Sequence, residues 1–379
     1  MSAFAQSSVS LTGNIDFAAA NVTGTQIGSN GNTISTTTGT SSTSVINIDA
    51  IEDLGGSLKA KAHYGLDPRT LSNDSLSNTG AQAAGSSGAY ANTTTGLARD
   101  EVFVGLAGNY GEIKLGAPNS IGLNVFQAAS PLGTGVGSGY APNAGTQTNS
   151  VVTTRYNRSA RFDSATYAGF TASVLYAPGD DLAQVDTQAA GQIPNARRTT
   201  EIGLKYANGP LNVALVNIKQ DSMVNKTGYY SGSLASAAQP VATSATVIGA
   251  NYTFANTTVY AGYNTGDRIA PKGSTAGDAV QSKGKRFAVK QTLGQIDLIA
   301  QRSTQETTGL AAAGATSIGD VKGTVTGLRA DYNFSKTAAT YVGYEKWNTG
   351  ATAAAGTAGA LAGISGDRTI VSIGLRKSF

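Results

Sequence analysis

The segment RTIVSIGLRKSF, residues 368–379, contains the pattern that decides the fold of this chain. Apolar residues alternate one by one with small or polar residues, in the order Val371, Ser372, Ile373, Gly374, Leu375 and Arg376. Strict alternation places the two kinds of side chain on opposite faces of a β-strand. The segment therefore predicts a strand with one apolar and one polar face that continues almost to the aromatic residue Phe379.

The same period of two recurs along the whole chain. Clear examples are SVSLTGNIDF (8–17), SLKAKAHYGL (57–66), TEIGLKY (200–206) and GLRADYNF (327–334). A strand that is apolar on one face only must bury that face against lipid or against a protein core. If it lies in lipid, every backbone group needs a partner within the protein, so the last strand must pair with the first.

The links between these strands are alternately short and long. Seven short links, rich in the Gly, Asn and Asp of tight hairpins, lie at 52–57, 107–112, 164–169, 207–210, 254–257, 293–295 and 335–337. Eight long polar links lie at about 18–44, 67–98, 117–150, 179–198, 222–244, 268–284, 303–323 and 348–367. This alternation is typical of transmembrane barrels. We therefore expect an all-β fold, a sixteen-stranded antiparallel transmembrane β-barrel formed as one domain by residues 6–379.

Composition excludes several other classes of protein. Charged residues make up only 13% of the chain, and no apolar run approaches the roughly 18 residues that a membrane-spanning helix needs. There are no cysteines, and the net charge of +4 comes without basic runs, so nucleic acid is not an expected partner. Residues 1–5 end in Ala3-Phe4-Ala5, which resembles the stump of a secretory signal peptide.

No constellation of residues indicates catalysis. His63 is the only histidine, it continues the polar row of Lys59 and Lys61, and no G-x-S-x-G element accompanies it. One long loop contains Asp180, Asp181 and Asp186, but without regular ligand spacing we favour a solvated loop over a calcium site. We expect no catalytic, cofactor-binding or metal-binding residues and no enzyme activity.

The polar faces of the strands would line the inside of such a barrel. The basic residues expected there are Lys59, Lys61, Arg99, Lys114, Arg155, Arg161, Lys205, Arg286, Lys290, Arg329 and Arg376. The acids are Asp16, Asp49, Glu101, Glu112, Asp163, Glu201, Asp297 and Asp331. The excess of basic residues would favour anions. The same residues could also pair across strands and stiffen the wall, and the two roles are compatible.

Aromatic residues are expected to form two belts where the barrel meets the membrane interfaces. The belt at the short turns would contain Tyr206, Tyr252, Phe254, Tyr332, Phe334 and Phe379. The belt at the long loops would contain Tyr64, Tyr176, Tyr263 and Trp347.

In sequence, the chain resembles the general porins of β-proteobacterial outer membranes, of the neisserial and Burkholderiales type. The similarity is carried by SSVSLTGNIDF (7–17), EDLGGSLKAKAHYGL (52–66), EVFVGLAGNYGEIKLGAP (101–118), RFDSATYAGFTASVLYAPG (161–179), GLRADYNFSKTAATYVGYEKWN (327–348) and SIGLRKSF (372–379). It implies a homotrimer in the bacterial outer membrane, surrounded by lipid and lipopolysaccharide, that passes small hydrophilic solutes and ions by diffusion. It also implies that the outer-membrane assembly machinery recognises Phe379.

The resemblance further implies that the third external loop, residues 117–150, folds into the barrel and narrows the pore. Loops of this family usually carry acids, but this loop contains no Asp, Glu, Lys, Arg or His. A neutral loop opposite an uncompensated basic wall would favour anions. The alternative is a substrate-specific channel for small anions such as dicarboxylates.

Overall fold

The computed structural model describes residues 7–24, 36–39, 44–66, 99–133, 154–178, 197–222, 242–269, 280–310, 319–351 and 366–379. The expected signal-peptide remnant, residues 1–5, lies outside these ranges. The strands are β1 (Ser7–Gly24), β2 (Thr36–Gly39), β3 (Val45–Gly55), β4 (Leu58–Leu66), β5 (Arg99–Gly108), β6 (Gly111–Ala117), β7 (Ser159–Ser164), β8 (Phe170–Ala177), β9 (Arg197–Asn208), β10 (Leu211–Ser222), β11 (Ala242–Phe254), β12 (Thr257–Ile269), β13 (Val280–Leu293), β14 (Ile296–Leu310), β15 (Gly319–Ser335), β16 (Ala338–Ala351) and β17 (Gly366–Ser378). A helix, α1 (Ile121–Ala128), follows β6. Of the residues described, none belongs to a helix long and apolar enough to cross a membrane.

The strands form one antiparallel sheet that closes into a barrel of sixteen positions. Both β2 and β3 pair with β1, at different heights, so they occupy one position together. Ser44, which directly precedes β3, forms two hydrogen bonds with the backbone of β1. Its Oγ accepts from the Asp16 N–H at 2.8 Å and donates to the Asp16 carbonyl at 3.1 Å. The expected sixteen-stranded barrel is confirmed.

The short hairpins lie at the positions expected from the sequence, but the strands are longer at their other ends. For example, β14 continues to Leu310 and β15 begins at Gly319, well inside the long link expected at 303–323. The expected bounds of that link were wrong. Backbone pairing continues through Thr-rich and Gly-rich sequence after the apolar alternation stops, because the ladder needs no apolar side chains once it leaves the membrane.

Alternating side chains face lipid and lumen. On β17, Val371, Ile373 and Leu375 are exposed on the outer face, while Ile370 and Ser372 on the other face are buried. This is the expected consequence of a period of two in a closed sheet.

The barrel closes between β1 and β17, in a register that runs from Asn14 opposite Ser378 to Gly24 opposite Arg368. Phe379 extends this pairing: its N–H donates to the Gly13 carbonyl and its carbonyl accepts from the Gly13 N–H, each at 3.0 Å. The Phe379 ring covers the outer face of Gly13, where an added Cβ would meet it at 2.6 Å. The final aromatic residue is therefore part of the seam.

A side chain also crosses the seam on the inner face. Tyr341 of β16 lies opposite Gly374 of β17, and its ring occupies the space in which a side chain at position 374 would stand. Its hydroxyl donates to Asp16 Oδ1 of β1 at 2.6 Å. The Tyr341 side chain can extend from β16 to β1 because Gly374 of the intervening β17 has no side chain.

The turn-side aromatic belt is supported by exposed rings at Tyr252, Phe254, Tyr332 and Phe334. At the loop side, the prediction for Trp347 was wrong. Its ring is buried on the inner face, and its indole N–H donates to the Glu345 carboxylate. The prediction considered only how close Trp347 lies to the long loop. Strand parity places residue 347 on the same inner face as Tyr341.

Candidate functional site

The chain leaves β6 and turns back into the barrel as α1. Ser120 caps the helix, with its Oγ accepting from the Leu123 N–H at 2.9 Å. Such a cap satisfies one of the free N–H groups of the first helical turn. The described residues 117–133 therefore begin the expected constriction loop 117–150, and residues 134–150 lie outside the described part of the chain.

The wall beneath α1 is apolar, although it is the inside of the barrel. Buried side chains here form a cluster that comprises Ile121, Val125, Tyr156, Leu175, Ala177, Ala214, Val216, Ile218, Ala245 and Val247. In β8, β10 and β11 the inward residues are thus covered by protein instead of lumen water, and they pack as the core of a soluble domain does. Burial of these side chains holds the helix against one side of the pore.

Two glycines let the helix approach the wall closely. A Cβ at Gly203 of β9 would overlap the Ile121 side chain, and a Cβ at Gly249 of β11 would overlap the Val125 carbonyl. Glycine is the residue that permits such contact between a backbone and a second element. The position of α1 therefore depends on glycines in the strands beneath it.

The N-terminus of α1 is anchored by Glu201 of β9. One carboxylate oxygen accepts from the Ile121 N–H at 2.6 Å and from the Gly122 N–H at 3.1 Å. The other accepts from the Tyr156 hydroxyl at 3.1 Å. A carboxylate at a helix N-terminus satisfies free N–H groups and complements the positive end of the helix dipole. Because Glu201 is fully buried, these hydrogen bonds are shielded from water.

The C-terminal end of α1 is anchored as well. Asn251 of β11 donates through Nδ2 to the Ala128 carbonyl at 2.9 Å. Ser130 donates through Oγ to Gln301 Oε1 of β14 at 3.0 Å. Between these ends, the Arg286 guanidinium stacks 3.6 Å from the centroid of the buried Phe126 ring. The helix is held along its length by β9, β11, β13 and β14.

The lumen-facing edge of α1 is polar but uncharged. Asn124 and Gln127 are exposed there, and together with Arg161, Asp163 and Lys205 of the wall they line a cavity of about 400 Å³. The polar groups that line this cavity are thus amides on the helix side and mainly charged groups on the wall side.

The charges of the adjoining wall alternate in sign across β4, β6 and β7. Lys61 pairs with Glu112 at 3.0 Å, and Lys114 lies 3.7 Å from Glu112 and 3.6 Å from Asp163. Asp163 also accepts from Arg161 at 2.9 Å. Arg161 donates further to the Asn124 side chain at 2.7 Å, which connects this row of charges to α1.

The other expected pore-lining cations mostly have carboxylate partners too. The pairs are Lys290 with Asp297 at 3.0 Å, Arg329 with Asp331 at 2.6 Å, Arg376 with Asp331 at 3.5 Å, and Arg155 with Asp100. The expectation of an uncompensated basic wall was therefore wrong for these residues. Inward faces of neighbouring strands place acids and bases side by side, and pairing reduces the cost of holding each charge in the wall.

Three expected cations form no ion pair among the described residues: Lys59, Lys205 and Arg286. Lys59 and Lys205 are exposed on the inner face, whereas Arg286 is buried beneath Phe126. The backbone of Arg99 begins β5 on the inner face, but its side chain lies outside the described part of the chain. Arg155 differs from the rest because it lies between strands, bridged to Asn119.

His63 belongs to the wall. Its Nδ1 lies 2.7 Å from Asp49 Oδ1, and its ring stacks on Phe103 with centroids 5.3 Å apart. In the described ranges, no group of three or more His, Cys, Asp or Glu side chains is arranged to hold a metal ion. The loop with Asp180, Asp181 and Asp186 lies outside these ranges.

The residues that anchor α1 to the wall were not identified from the sequence. Glu201 counted only as a wall acid, because its partners at residues 121 and 122 are distant along the chain. Part of the signal was present: Ser120 directly precedes the apolar-rich segment IGLNVFQA, which is a helix start. Glu345 was also missed as an inward acid.

Comparisons with known proteins agree with this architecture. The family model described as Gram-negative porin matches residues 1–363. An outer membrane porin protein of Bordetella pertussis (strain Tohama I) is 31% identical over 110 residues, a match that spans 28% of this chain and 28% of that protein.

Two solved structures are similar over nearly their whole length. An anion-selective porin from Comamonas acidovorans matches 99% of this chain and 100% of its own, with a TM-score of 0.67 and 20% sequence identity. The trimer form of OmpT, an outer membrane protein of Vibrio cholerae, matches 98% of this chain and 99% of its own, with a TM-score of 0.63 and 14% identity. At these identities the similarity shows the fold alone.

Proposed function

Because the chain belongs to the Gram-negative porin family and is therefore an outer-membrane channel and not an enzyme, we propose that it is a diffusion porin with a mild preference for anions. Its water-filled lumen passes small hydrophilic solutes and ions down their gradients. The segment around α1 sets the size limit, and the charges of the wall set the preference.

One observation carries the preference for anions: the constriction helix has no charged side chain, and Lys205, which lines the cavity beside it, is a cation without an ion-pair partner among the described residues. Lys59 and Lys205 are exposed to the lumen with no carboxylate partner among the described residues. A close ion pair such as Lys61 with Glu112 has little net charge at a distance, so it affects passing ions less. Unpaired cations in a low-dielectric channel raise the local concentration of anions.

The similar proteins support finer proposals. The Comamonas porin is described as anion-selective, in agreement with the proposed preference. OmpT of Vibrio has a trimer form, which supports a homotrimer here. The Bordetella relative supports a porin of β-proteobacterial type. We further propose that the assembly machinery of the outer membrane recognises Phe379, and that lipid and lipopolysaccharide surround the barrel.

Reversal potentials in planar bilayers test this proposal. The protein in a KCl gradient should show discrete conductance steps and a potential of the sign that chloride preference produces. Lys205→Gln should reduce the anion preference, whereas Lys336→Gln, which removes the same charge from a turn outside the lumen, should leave it unchanged. Absence of conductance steps contradicts the channel, and a preference for potassium contradicts the charge assignment.

The alternative, a channel specific for small anions such as dicarboxylates, makes a different prediction. Its flux would saturate with one solute, and that solute would block the chloride current. The hollow beside Phe103 contains Lys61 and Lys114, but Glu112 lines it as well, so it does not favour a dianion. Flux that rises linearly with solute concentration would support general diffusion.

A further inference from the structure

We propose that the outer wall of the barrel carries a binding site for the phosphate groups of lipopolysaccharide, on the lipid-facing side of β13–β16. The site, here called the outer basic patch, consists of Lys283, Lys285, Arg302, Lys322 and Lys346.

Strand parity places these five side chains outside the lumen. On β13, Lys283 and Lys285 share a face with the exposed Phe287, whereas Ser282 and Arg286 on the opposite face are buried. On β14, the exposed Arg302 shares a face with Leu298. The same alternation continues to Lys322 on β15 and Lys346 on β16, and both are exposed. These residues take no part in lining the pore.

The strand register brings the five cations together. Lys283 lies opposite Glu306, which lies opposite Lys322 on the next strand. Four residues closer to the short turn along β14, Arg302 lies opposite Thr326, and Thr326 lies opposite Lys346. Neighbouring strands are about 4.8 Å apart and residues rise by about 3.4 Å, so the patch extends about 14 Å across four strands and about 14 Å along them.

The patch keeps a net positive charge. Glu306 is the only acid on this face of β13–β16 whose side chain the structure describes, and it pairs with Lys322 at 2.6 Å. Both partners remain more than half exposed, at 53% and 62%. Arg302 donates to the Thr326 hydroxyl at 3.2 Å. Lys283, Lys285 and Lys346 are not among the described ion pairs, so several donors remain available to a ligand.

The position of the patch selects a lipid over a free anion. Four of the five residues lie toward the long-loop ends of their strands, whereas Arg302 lies in the middle of β14, opposite Phe287. Phe287, Leu328 and Tyr344 form an exposed apolar surface beside the patch. In outer-membrane barrels the long loops are external, so this edge lies at the outer leaflet. Clusters of Lys and Arg at the edge of an apolar surface recognise anionic lipid headgroups. Lipopolysaccharide combines phosphate groups for the cations with acyl chains for the adjacent apolar wall.

Binding of purified lipopolysaccharide to the full-length protein in neutral detergent tests the assignment. Replacing two exposed cations in Lys283→Gln/Lys322→Gln should weaken binding about 25-fold, since each basic residue at an anionic surface contributes about fivefold. The matched control is Lys219→Gln/Lys336→Gln, which changes the net charge equally and leaves the patch intact. It should bind as the unmodified protein does.

A second variant acts in the opposite direction. Glu306→Gln removes the described acid of the patch and frees Lys322, so binding should become severalfold tighter, which a damaged barrel would not produce. Dephosphorylated lipopolysaccharide should bind poorly to every form. Equal binding by Lys283→Gln/Lys322→Gln and the unmodified protein, or undiminished binding of the dephosphorylated lipid, overturns the proposal.

Two further measurements distinguish the outer basic patch from a site for free phosphate and from the charges of the pore. Displacement of lipopolysaccharide by an equal concentration of inorganic phosphate would assign the site to free phosphate and overturn the lipid assignment. Conductance and ion preference in bilayers without lipopolysaccharide should be the same for Lys283→Gln/Lys322→Gln and the unmodified protein. A protein without anion preference would therefore not contradict the outer basic patch. Likewise, a protein that does not bind lipopolysaccharide at the patch would not contradict the anion preference.

Discussion

The inner surface of the barrel is built in two different ways, beneath α1 and at the closing seam. Beneath α1, inward residues such as Leu175 and Val216 are apolar and fully buried by the helix. At the seam, the inward residues Asp16, Tyr341 and Asp331 are equally well buried but polar. Strand parity is the same in both regions, so the alternation of faces does not determine what the inner face is made of.

The two regions differ in the interactions that stabilise the buried side chains: hydrogen bonds and ion pairs at the seam, and apolar contacts beneath α1. At the seam, the Arg329 guanidinium stacks 3.7 Å above the Tyr341 ring and donates to Asp331, which also lies 3.5 Å from Arg376. Each of these polar groups has a partner, which removes most of the cost of burying it. Beneath α1, apolar contact fixes a helix from a loop against the wall. The seam holds the barrel closed, and the docked helix covers one side of the inner wall.

The largest effect is expected from filling the space beneath Tyr341. Gly374→Val would displace the Tyr341 ring and break its hydrogen bond to Asp16, which should destabilise the barrel by about 2–4 kcal/mol. The measurement is the denaturant midpoint of the refolded protein in detergent. Gly343→Val is the matched control, because a Cβ there would closely approach only the Ser372 hydroxyl, at 2.8 Å, with the Leu328 carbonyl 4.0 Å away. An equal loss in both variants would show that the seam has no special role.

Removal of Phe379 tests the other half of the seam. The deletion removes two backbone hydrogen bonds to Gly13, worth about 1 kcal/mol each, together with the ring that covers it. The fraction of chains assembled in the outer membrane should fall severalfold, while channels that do assemble should conduct normally. Phe379→Ala keeps the backbone bonds and should have an intermediate effect. Normal assembly of the truncated chain would contradict this.

Loss of the helix anchor should change the pore and leave the barrel intact. Glu201→Ala removes the acceptor for two N–H groups of α1 and should destabilise the docked helix by about 2–3 kcal/mol. Single-channel recordings should then show noisier current and more frequent brief closures, with little change in the denaturant midpoint. Glu201→Gln retains one acceptor oxygen and should be milder. Unchanged current noise in Glu201→Ala would show that apolar contact alone holds the helix.

The smallest effect is expected from a modest change between wall and helix. Gly249→Val would push the Val125 backbone toward the lumen, because its Cβ would overlap the Val125 carbonyl oxygen where α1 contacts β11. Single-channel conductance should decrease moderately while ion preference is retained. Gly343→Val, also on the inner face but away from α1, should conduct normally. Equal conductance of the two variants would place the narrowest part of the pore elsewhere.

Much of the fold could be predicted because the signals are local. The alternation in 368–379 and the tight turns at 207–210 and 254–257 each depend on a few neighbouring residues. The ends of β14 and β15 could not be predicted, since pairing outside the membrane leaves no hydropathy signal. Trp347 was assigned to the wrong face because its distance from the loop along the chain was considered without its parity.

The site was predicted less completely than the fold. Lys61, Lys114 and Arg161 lie on the inner wall, where the parity of their strands puts them. Their pairing with Glu112 and Asp163 was open in the sequence, because it depends on which residues the register sets side by side. Whether a wall charge acts on passing ions depends on such neighbours, and a single strand does not contain them.

By itself, the sequence determined the alternating strands, the hairpins and the barrel of sixteen positions, because backbone pairing and a two-sided solvent act on every strand locally. Only the tertiary structure decided where the helix lies, which charges remain unpaired, and how the seam is closed. These features join residues that are far apart in the chain, such as Glu201 with Ile121 and Asp16 with Tyr341. Their contacts exist only after the sheet has closed and set the register that brings them within reach.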